Sequence, residues 1–183
     1  MSRIIDSTLE SQRDENEAAH LEDQLAAFFE AHYARLTRLA TLVCHERVPV
    51  EDAVQAAMEQ AWRRRHTLQD ASRIRSWLDR IVVREAIRLN RRRWWTERPH
   101  APDEEGAAMS DTRAGVDPVW VAMAVAFRKL PIEQRAAVAL HLYAGHSVEE
   151  TAAVMGASYE TTRSRLRLAR GRLRHELRDE DER

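Results

Sequence analysis

One cysteine, Cys44, stands in a chain of 183 residues, which excludes an intramolecular disulfide and points to a reducing compartment. Lysine is equally scarce: Lys129 is alone among 29 basic residues. Nearly every positive charge is therefore a guanidinium, whose planar fork contacts phosphate or guanine better than an ammonium does. Codon bias in a GC-rich genome would produce the same composition. No apolar run approaches the roughly 20 residues of a membrane span, and the first residues are acidic with no hydrophobic signal segment. A soluble cytoplasmic protein without membrane insertion is expected. The eight histidines and one cysteine show no metal-ligand spacing beyond what a helical core produces by chance, the pair Cys44-His45 included. No cofactor, metal site or catalytic centre is expected.

What the chain does have is charge, unevenly placed. The formal net charge of −1 hides an acidic start, with two Arg against eight Asp or Glu between Met1 and Glu30. Between Arg63 and Arg98 there are twelve Arg against four acids, and between Glu160 and Arg178 seven against two. Two basic blocks imply two surfaces for a polyanion.

Hydrophobic spacing gives the organisation. Residues 1–20 are polar and acidic and are expected to form a disordered tail. From Leu21 onward, Leu25, Phe28, Phe29, Leu36, Leu39 and Val43 recur at helical intervals. After Pro49 a second amphipathic pattern runs through Val50, Ala53, Val54, Ala57, Met58, Ala61 and Trp62. Ser72 is the expected cap of a third long helix, with Ile74, Trp77, Leu78, Ile81, Val82 and Leu89 on its apolar side. The pattern lapses where Pro99, Pro102, Gly106, Gly115 and Pro118 punctuate a polar stretch, the mark of a linker. It resumes with Trp120, Met123, Phe127 and Leu130, followed by a helix opened by Pro131 and closed by Gly145. No β-type alternation persists anywhere. The expectation is an all-α, bilobed chain: a helical module over 21–95, a linker over 96–117, a second module over 118–178 and an acidic end over 179–183.

The second module carries the most specific local signal. Ser147 and Glu150 match a capping box; Gly156 permits the left-handed backbone of a tight turn, and Ala152 lets a following helix cross closely. Thr151, Ala152 and Met155 are expected to face inward. Ser158 would cap a long helix with Thr162, Leu166, Ala169, Leu173 and Leu177 inward and Tyr159, Glu160, Arg163, Ser164, Arg167 and Arg170 outward. This is the pattern of a helix-turn-helix whose recognition helix enters the major groove. An antiparallel helical hairpin with a solvated Arg face shares the spacing, and the excess of outward Arg favours DNA.

The runs Leu130-Pro131-Ile132-Glu133-Gln134-Arg135, Gly145-His146-Ser147-Val148-Glu149-Glu150-Thr151-Ala152, Arg163-Ser164-Arg165-Leu166 and Ala169-Arg170 closely resemble region 4 of sigma-70 family transcription initiation factors. The resemblance implies that this module binds the minus-thirty-five promoter element and the β flap of core RNA polymerase. Thr162 stands where the family usually has Val or Ile.

In the first module, Val50-Glu51-Asp52-Ala53-Val54-Gln55-Ala56-Ala57-Met58-Glu59-Gln60-Ala61-Trp62 is similar to region 2.2 of the same family. Asp52, Gln55 and Glu59 fall at i, i+3 and i+7, so they share a polar face away from Val54 and Ala61. The resemblance implies that this ridge binds the β′ clamp of core polymerase. The next helix resembles regions 2.3 and 2.4 through Trp77-Leu78, Ile81 and Arg91-Arg92-Arg93, which implies contact with the minus-ten element. Arg80, Arg84, Arg88, Arg91 and Arg92 are the candidate residues, the first three and Arg92 forming one stripe at four-residue steps, where Asp79 and Glu85 relieve part of the repulsion. Reading an unstacked base needs a basic track and an aromatic face; Trp77 falls on the apolar stripe, whereas Trp94 and Trp95 lie at the helix end, as base platforms or as packing for the linker. Arg84 and Arg88 replace the Asn and Asp or Asn frequent in the family, and His45 to Pro49 replaces its usual Gly-Asp.

With both modules in order and no domain between them, the chain resembles the extracytoplasmic-function (ECF) group. That implies a sigma factor, not an enzyme, whose partners are core polymerase, promoter DNA and an anti-sigma protein. The rival from the residues alone is a helix-turn-helix regulator that never joins polymerase, which leaves Val50 to Trp62 without a role.

Overall fold

The first 48 residues contain neither glycine nor proline, and residues 2–43 of them form one long helix. The computed structural model describes residues 2–45, 48–68, 70–96 and 117–181, with side chains over 23–45, 48–68, 70–92, 117 and 119–176. Helix α1 spans Ser2–Val43. It therefore includes the acidic segment expected as a disordered tail. Nine of its twenty residues are Glu, Gln, Arg, Leu or Ala, all good helix formers, and none is Gly or Pro. The linker expected over 96–117 lies outside the described residues apart from its two end positions.

Helix α2 (Val50–Arg63) and helix α3 (Ile74–Thr96) complete the first module. Leu25, Leu36, Leu39 and Val43 of α1 are buried with Val54, Ala57 and Ala61 of α2 and with Leu78, Val82 and Ala86 of α3. Burying one such aliphatic side chain contributes about 1.5–3 kcal/mol. Trp62, expected on the buried stripe of α2, is instead 44% exposed. It sits in the last turn, past the end of the packed stripe, and the Arg65 guanidinium lies 5.5 Å from its ring centre. Ser72 does not cap α3. Asp70 takes that place for the short 3₁₀ turn Ala71–Arg73, accepting from the Ser72 amide at 2.9 Å, and α3 follows directly.

The second module has α4 (Pro118–Arg128), α5 (Ile132–Val138), a π turn (Ala139–Tyr143), α6 (Val148–Met155) and α7 (Tyr159–Asp181). Pro131 is the cap of α5 and not its first residue. Gly145 follows the π turn at φ 82°, where only glycine is unstrained. The described residues contain no strand. The buried apolar cluster runs without a break from the first module through Phe127, Leu130, Val138 and Leu140 to Val154, Leu166 and Ala169.

Candidate nucleic-acid interface

The helix-turn-helix forms as its sequence demands. The Ser147 hydroxyl accepts from the Glu150 amide at 3.1 Å while the Glu150 carboxylate accepts from the Ser147 amide at 2.8 Å, completing the capping box. Gly156 ends α6 at φ 61°, and the Ala157 amide reaches back to the Ala152 carbonyl at 3.0 Å, closing the left-handed turn. Ser158 then caps α7, its hydroxyl accepting from the Thr161 amide at 3.1 Å. Thr151, Ala152 and Val154 are buried and Met155 half-buried; Val154 is an inward residue that the spacing did not single out.

On α7, Thr162, Leu166 and Ala169 are buried and Leu173 packs beside them, while the side chain of Leu177 lies outside the described residues. Tyr159, Glu160, Arg163, Ser164, Arg167 and Arg170 are all exposed. One inward atom is badly placed: the Thr162 hydroxyl is buried with no hydrogen-bond partner. A β-branched side chain of the same shape without the hydroxyl would leave no such group.

On the first module Asp52, Gln55 and Glu59 are exposed on one side of α2. Glu59 is engaged by Arg63 one turn on, at 3.3 Å. The Arg stripe of α3 is exposed at Arg80, Arg84, Arg88 and Arg92, as is Arg91. It is not merely solvated. Arg84 donates through Nε to the Val154 carbonyl at 2.9 Å, Arg88 pairs with Glu85 at 2.6 Å, and Arg91 pairs with Glu133 of α5 at 3.2 Å. Burial, with Arg80 and Arg64 nearby, lowers the Arg84 pKa from its ordinary value. A cleft of about 600 Å³ lies here, lined by Arg84, Arg88, Arg91, Arg92, Glu133 and Arg165 among others. Trp77 is half-buried against the core, and the side chains of Trp94, Trp95 and Arg93 lie outside the described residues.

Asp79 departs most from the expectation drawn from spacing. Its place between Arg75 and Arg80 suggests a surface acid relieving the Arg repulsion. It is instead 1% exposed, faces away from the stripe and is bound by Arg35 of α1 and His146 of the second module. Arg135 is likewise legible in the sequence only as part of a motif. Its guanidinium donates to the Val43 and Cys44 carbonyls at the end of α1, both at 3.2 Å, and to Arg128 and Leu130 at the end of α4, both at 2.9 Å. Four carbonyls that two helix ends leave unpaired thus converge on one cation, which also opposes the negative ends of both helix dipoles. Cys44 is buried beside it, and burial pushes its thiol up to about 12 against the opposing pull of Arg135. It is an inert core residue.

A recognition helix with an Arg-rich outer face, set beside a second Arg-striped helix, defines a protein that binds nucleic acid through two elements. Comparison with known proteins narrows the class. Residues 28–96 match Sigma-70 region 2 and residues 121–173 match Sigma-70, region 4. The ECF RNA polymerase sigma factor SigM of Mycobacterium tuberculosis is 36% identical over 159 residues, spanning 85% of this chain and 80% of that protein. The RNA polymerase sigma-E factor of Streptomyces coelicolor is 29% identical over 152 residues, 78% of this chain and 79% of that one. Among solved structures, the sigma factor RpoE of Bartonella quintana in complex with the anti-sigma factor NepR superposes with a TM-score of 0.67. It is 23% identical and covers 84% of this chain and 96% of that one, a likeness of fold. CnrH in complex with the cytosolic domain of CnrY gives 0.61 at 23% identity, over 88% and 95% of the two chains. The chain belongs to the sigma-70 family of RNA polymerase sigma factors, in its extracytoplasmic-function group. It binds core RNA polymerase and directs promoter recognition and the initiation of transcription. No helix among the described residues is long and apolar enough to cross a membrane.

Proposed function

We propose that the work of this sigma factor is divided between a module over 21–95 and a module over 118–178, joined by the linker 96–117. In the first, Asp52, Gln55 and Glu59 dock on the β′ clamp of core polymerase, and Arg80, Arg84, Arg88, Arg91 and Arg92 hold the minus-ten DNA. In the second, Tyr159, Glu160, Arg163, Ser164, Arg167 and Arg170 read the minus-thirty-five element while the domain as a whole contacts the β flap. The protein acts in the cytoplasm as a non-enzymatic subunit that needs no cofactor. An anti-sigma protein holds it inactive, as the complex of RpoE with the anti-sigma factor NepR suggests by likeness.

The observation that carries this division is the placement of the acidic ridge and the recognition surface. Asp52, Gln55 and Glu59 share one exposed face of α2, and the six outward residues of α7 share another on a separate module. A polyanion engages the Arg faces because each neutralised phosphate releases counterions. A basic protein helix engages the acidic ridge by charge complementarity.

Co-purification with core polymerase tests the ridge. Asp52→Arg with Glu59→Arg is expected to abolish retention on the polymerase and leave binding to an upstream-element duplex intact. Undiminished retention would remove the ridge from the polymerase contact.

A further inference from the structure

The cleft beside the Arg stripe is built from three helices, and it gathers charge of one sign. Arg84, Arg88, Arg91 and Arg92 of α3 line it together with Arg165 of α7, and Glu133 of α5 is the one acid in the lining. Five guanidiniums against one carboxylate give a local balance of +4, or +3 when Glu85, which pairs with Arg88, is counted. Like charges at four-residue steps destabilise a helix, and these two carboxylates do not neutralise the set. Burial first, and then Arg80 and Arg64, lower the Arg84 pKa, so positive charge is crowded here. Ile87 and Met155 add apolar lining, and the volume of about 600 Å³ falls within the range of small-molecule sites.

The donors are prepared for an anion. Arg165 is half-buried and has no hydrogen-bond or ion-pair partner among the described residues. The carbonyls that end α6 would repel an anion, but Arg84 already takes them, donating through Nε to Val154 at 2.9 Å and through Nη2 to Ala153 at 3.4 Å. Arg88 uses only Nε, on Glu85, and Arg91 only Nη2, on Glu133. Each of these three guanidiniums therefore keeps at least three of its five N–H donors.

We propose that this cleft is a binding site for a small oligophosphate, either an inorganic chain or the phosphate tail of a nucleotide. One phosphate carries about −1.5 to −2 near neutrality, so two or more phosphoryl groups are needed to match a balance of +3 to +4. Guanidinium forks suit phosphate oxygens in bidentate geometry. Arg165 and the α3 arginines hold the chain from two helices, and the base of a nucleotide would lie on Ile87 and Met155. The site requires no assumption about promoter DNA. Its consequence does: Arg88 and Arg91 are also assigned to minus-ten contact, so a filled cleft competes with the promoter.

Calorimetric titration of tripolyphosphate into the full chain at constant ionic strength tests the site. Saturable one-to-one binding is expected, with orthophosphate far weaker. Arg165→Gln and Arg88→Gln, one from each helix, should each weaken it about tenfold or more, the effect of losing a charged hydrogen bond. Glu133→Gln removes the competing acid and should tighten it. Arg174→Gln deletes an equal charge at an exposed position of α7 outside the lining and should leave it unchanged. Should Arg165→Gln lose helicity, Arg88→Gln, at an exposed position, carries the test. ATP binding as tightly as tripolyphosphate supports recognition of the phosphate chain alone, and tighter ATP binding adds the base to the contact. No saturable binding, or equal weakening in Arg174→Gln, overturns the site. Tripolyphosphate should also raise the sigma concentration that half-saturates promoter complexes, several-fold more in wild type than in Arg165→Gln. Equal effects in the two proteins overturn the competition, and only the competition.

Discussion

Asp79 accepts two hydrogen bonds from the Arg35 guanidinium, at 2.7 and 2.8 Å, across the contact between α1 and α3. Burial opposes ionisation of this carboxyl, yet the bonds from Arg35 and His146 outweigh it and hold the pKa below the ordinary aspartate value. The Arg35 pKa is raised in turn, chiefly by the same hydrogen bond. A carboxyl with a depressed folded-state pKa contributes stability in full above the unfolded value of about 3.9 and loses it as pH falls through the folded value. Asp79→Asn is therefore expected to destabilise the protein at neutral pH by about 3 kcal/mol, the range for breaking a buried pair. The gap to wild type should narrow below about pH 4. Thermal melts from about pH 3 to 7 check this, and a gap that stays constant over the range would contradict it.

Thr162 gives a prediction of opposite sign. Its buried hydroxyl has no partner, and an unsatisfied buried polar group costs about 1–3 kcal/mol. Thr162→Val keeps the β-branched shape and removes the orphan. The melting temperature is expected to rise by about 2–4 °C per kcal/mol recovered, with promoter affinity unchanged. A melting temperature that stays level or falls would show that the hydroxyl is satisfied in solution.

At Gly156 the backbone turns left-handed, φ 61°, with open space where a Cβ would stand. Gly156→Ala thus meets strain and no clash, and is expected to cost about 1 kcal/mol. A helix-turn-helix with a relaxed turn would show no change in denaturant midpoint.

Arg163 and Arg167 lie one turn apart on the exposed side of α7. Replacing a base-reading Arg by Ala should cost about 1–3 kcal/mol of discrimination, whereas removing a phosphate contact weakens all sequences alike. Titration of Arg163→Ala and Arg167→Ala against cognate and scrambled upstream elements separates these roles. Wild-type affinity in both variants would remove the pair from the interface.

The stripe on α3 is tested by salt. Arg84→Asn with Arg88→Asp is expected to make promoter binding less salt-dependent. The slope of log K against log salt should fall by about 1.5, the effect of two fewer phosphates neutralised on a single strand. Core-polymerase affinity should not change. An unaltered slope would leave the stripe without a part in DNA binding.

The helices and the helix-turn-helix were legible because their signals are local. A capping box, a glycine in a left-handed turn and apolar residues at helical steps act within a few residues of one another, and Ser147–Glu150, Gly156 and the Leu166–Ala169 face are found where spacing put them. The exposed positions of Asp52, Gln55, Glu59 and the outward α7 residues follow from the same periodicity. Asp79, His146 and Arg135 were not legible as a set, because Asp79 lies 67 residues from His146 and 44 from Arg35, and Arg135 lies up to 92 from its partners. Nothing in a charged residue's neighbours says that it will be buried; that depends on a cation arriving from another helix. Trp62 fails for a related reason. Periodicity extends a stripe to the end of a helix, but packing ends where the neighbouring helix does. At Ser72 two capping residues two positions apart competed, and Asp70 won by accepting from both the Ser72 amide and its hydroxyl.

Run-off transcription with purified core polymerase over fragments of the source genome tests the central claim most directly. Core polymerase alone should give no specific transcripts. Adding this protein should give discrete products whose start sites share two upstream elements about 25 base pairs apart, a span of about 85 Å of duplex, and Asp52→Arg/Glu59→Arg should abolish them. Transcripts that are absent with the protein, or unchanged from core polymerase alone, would contradict its action as a promoter-specificity subunit.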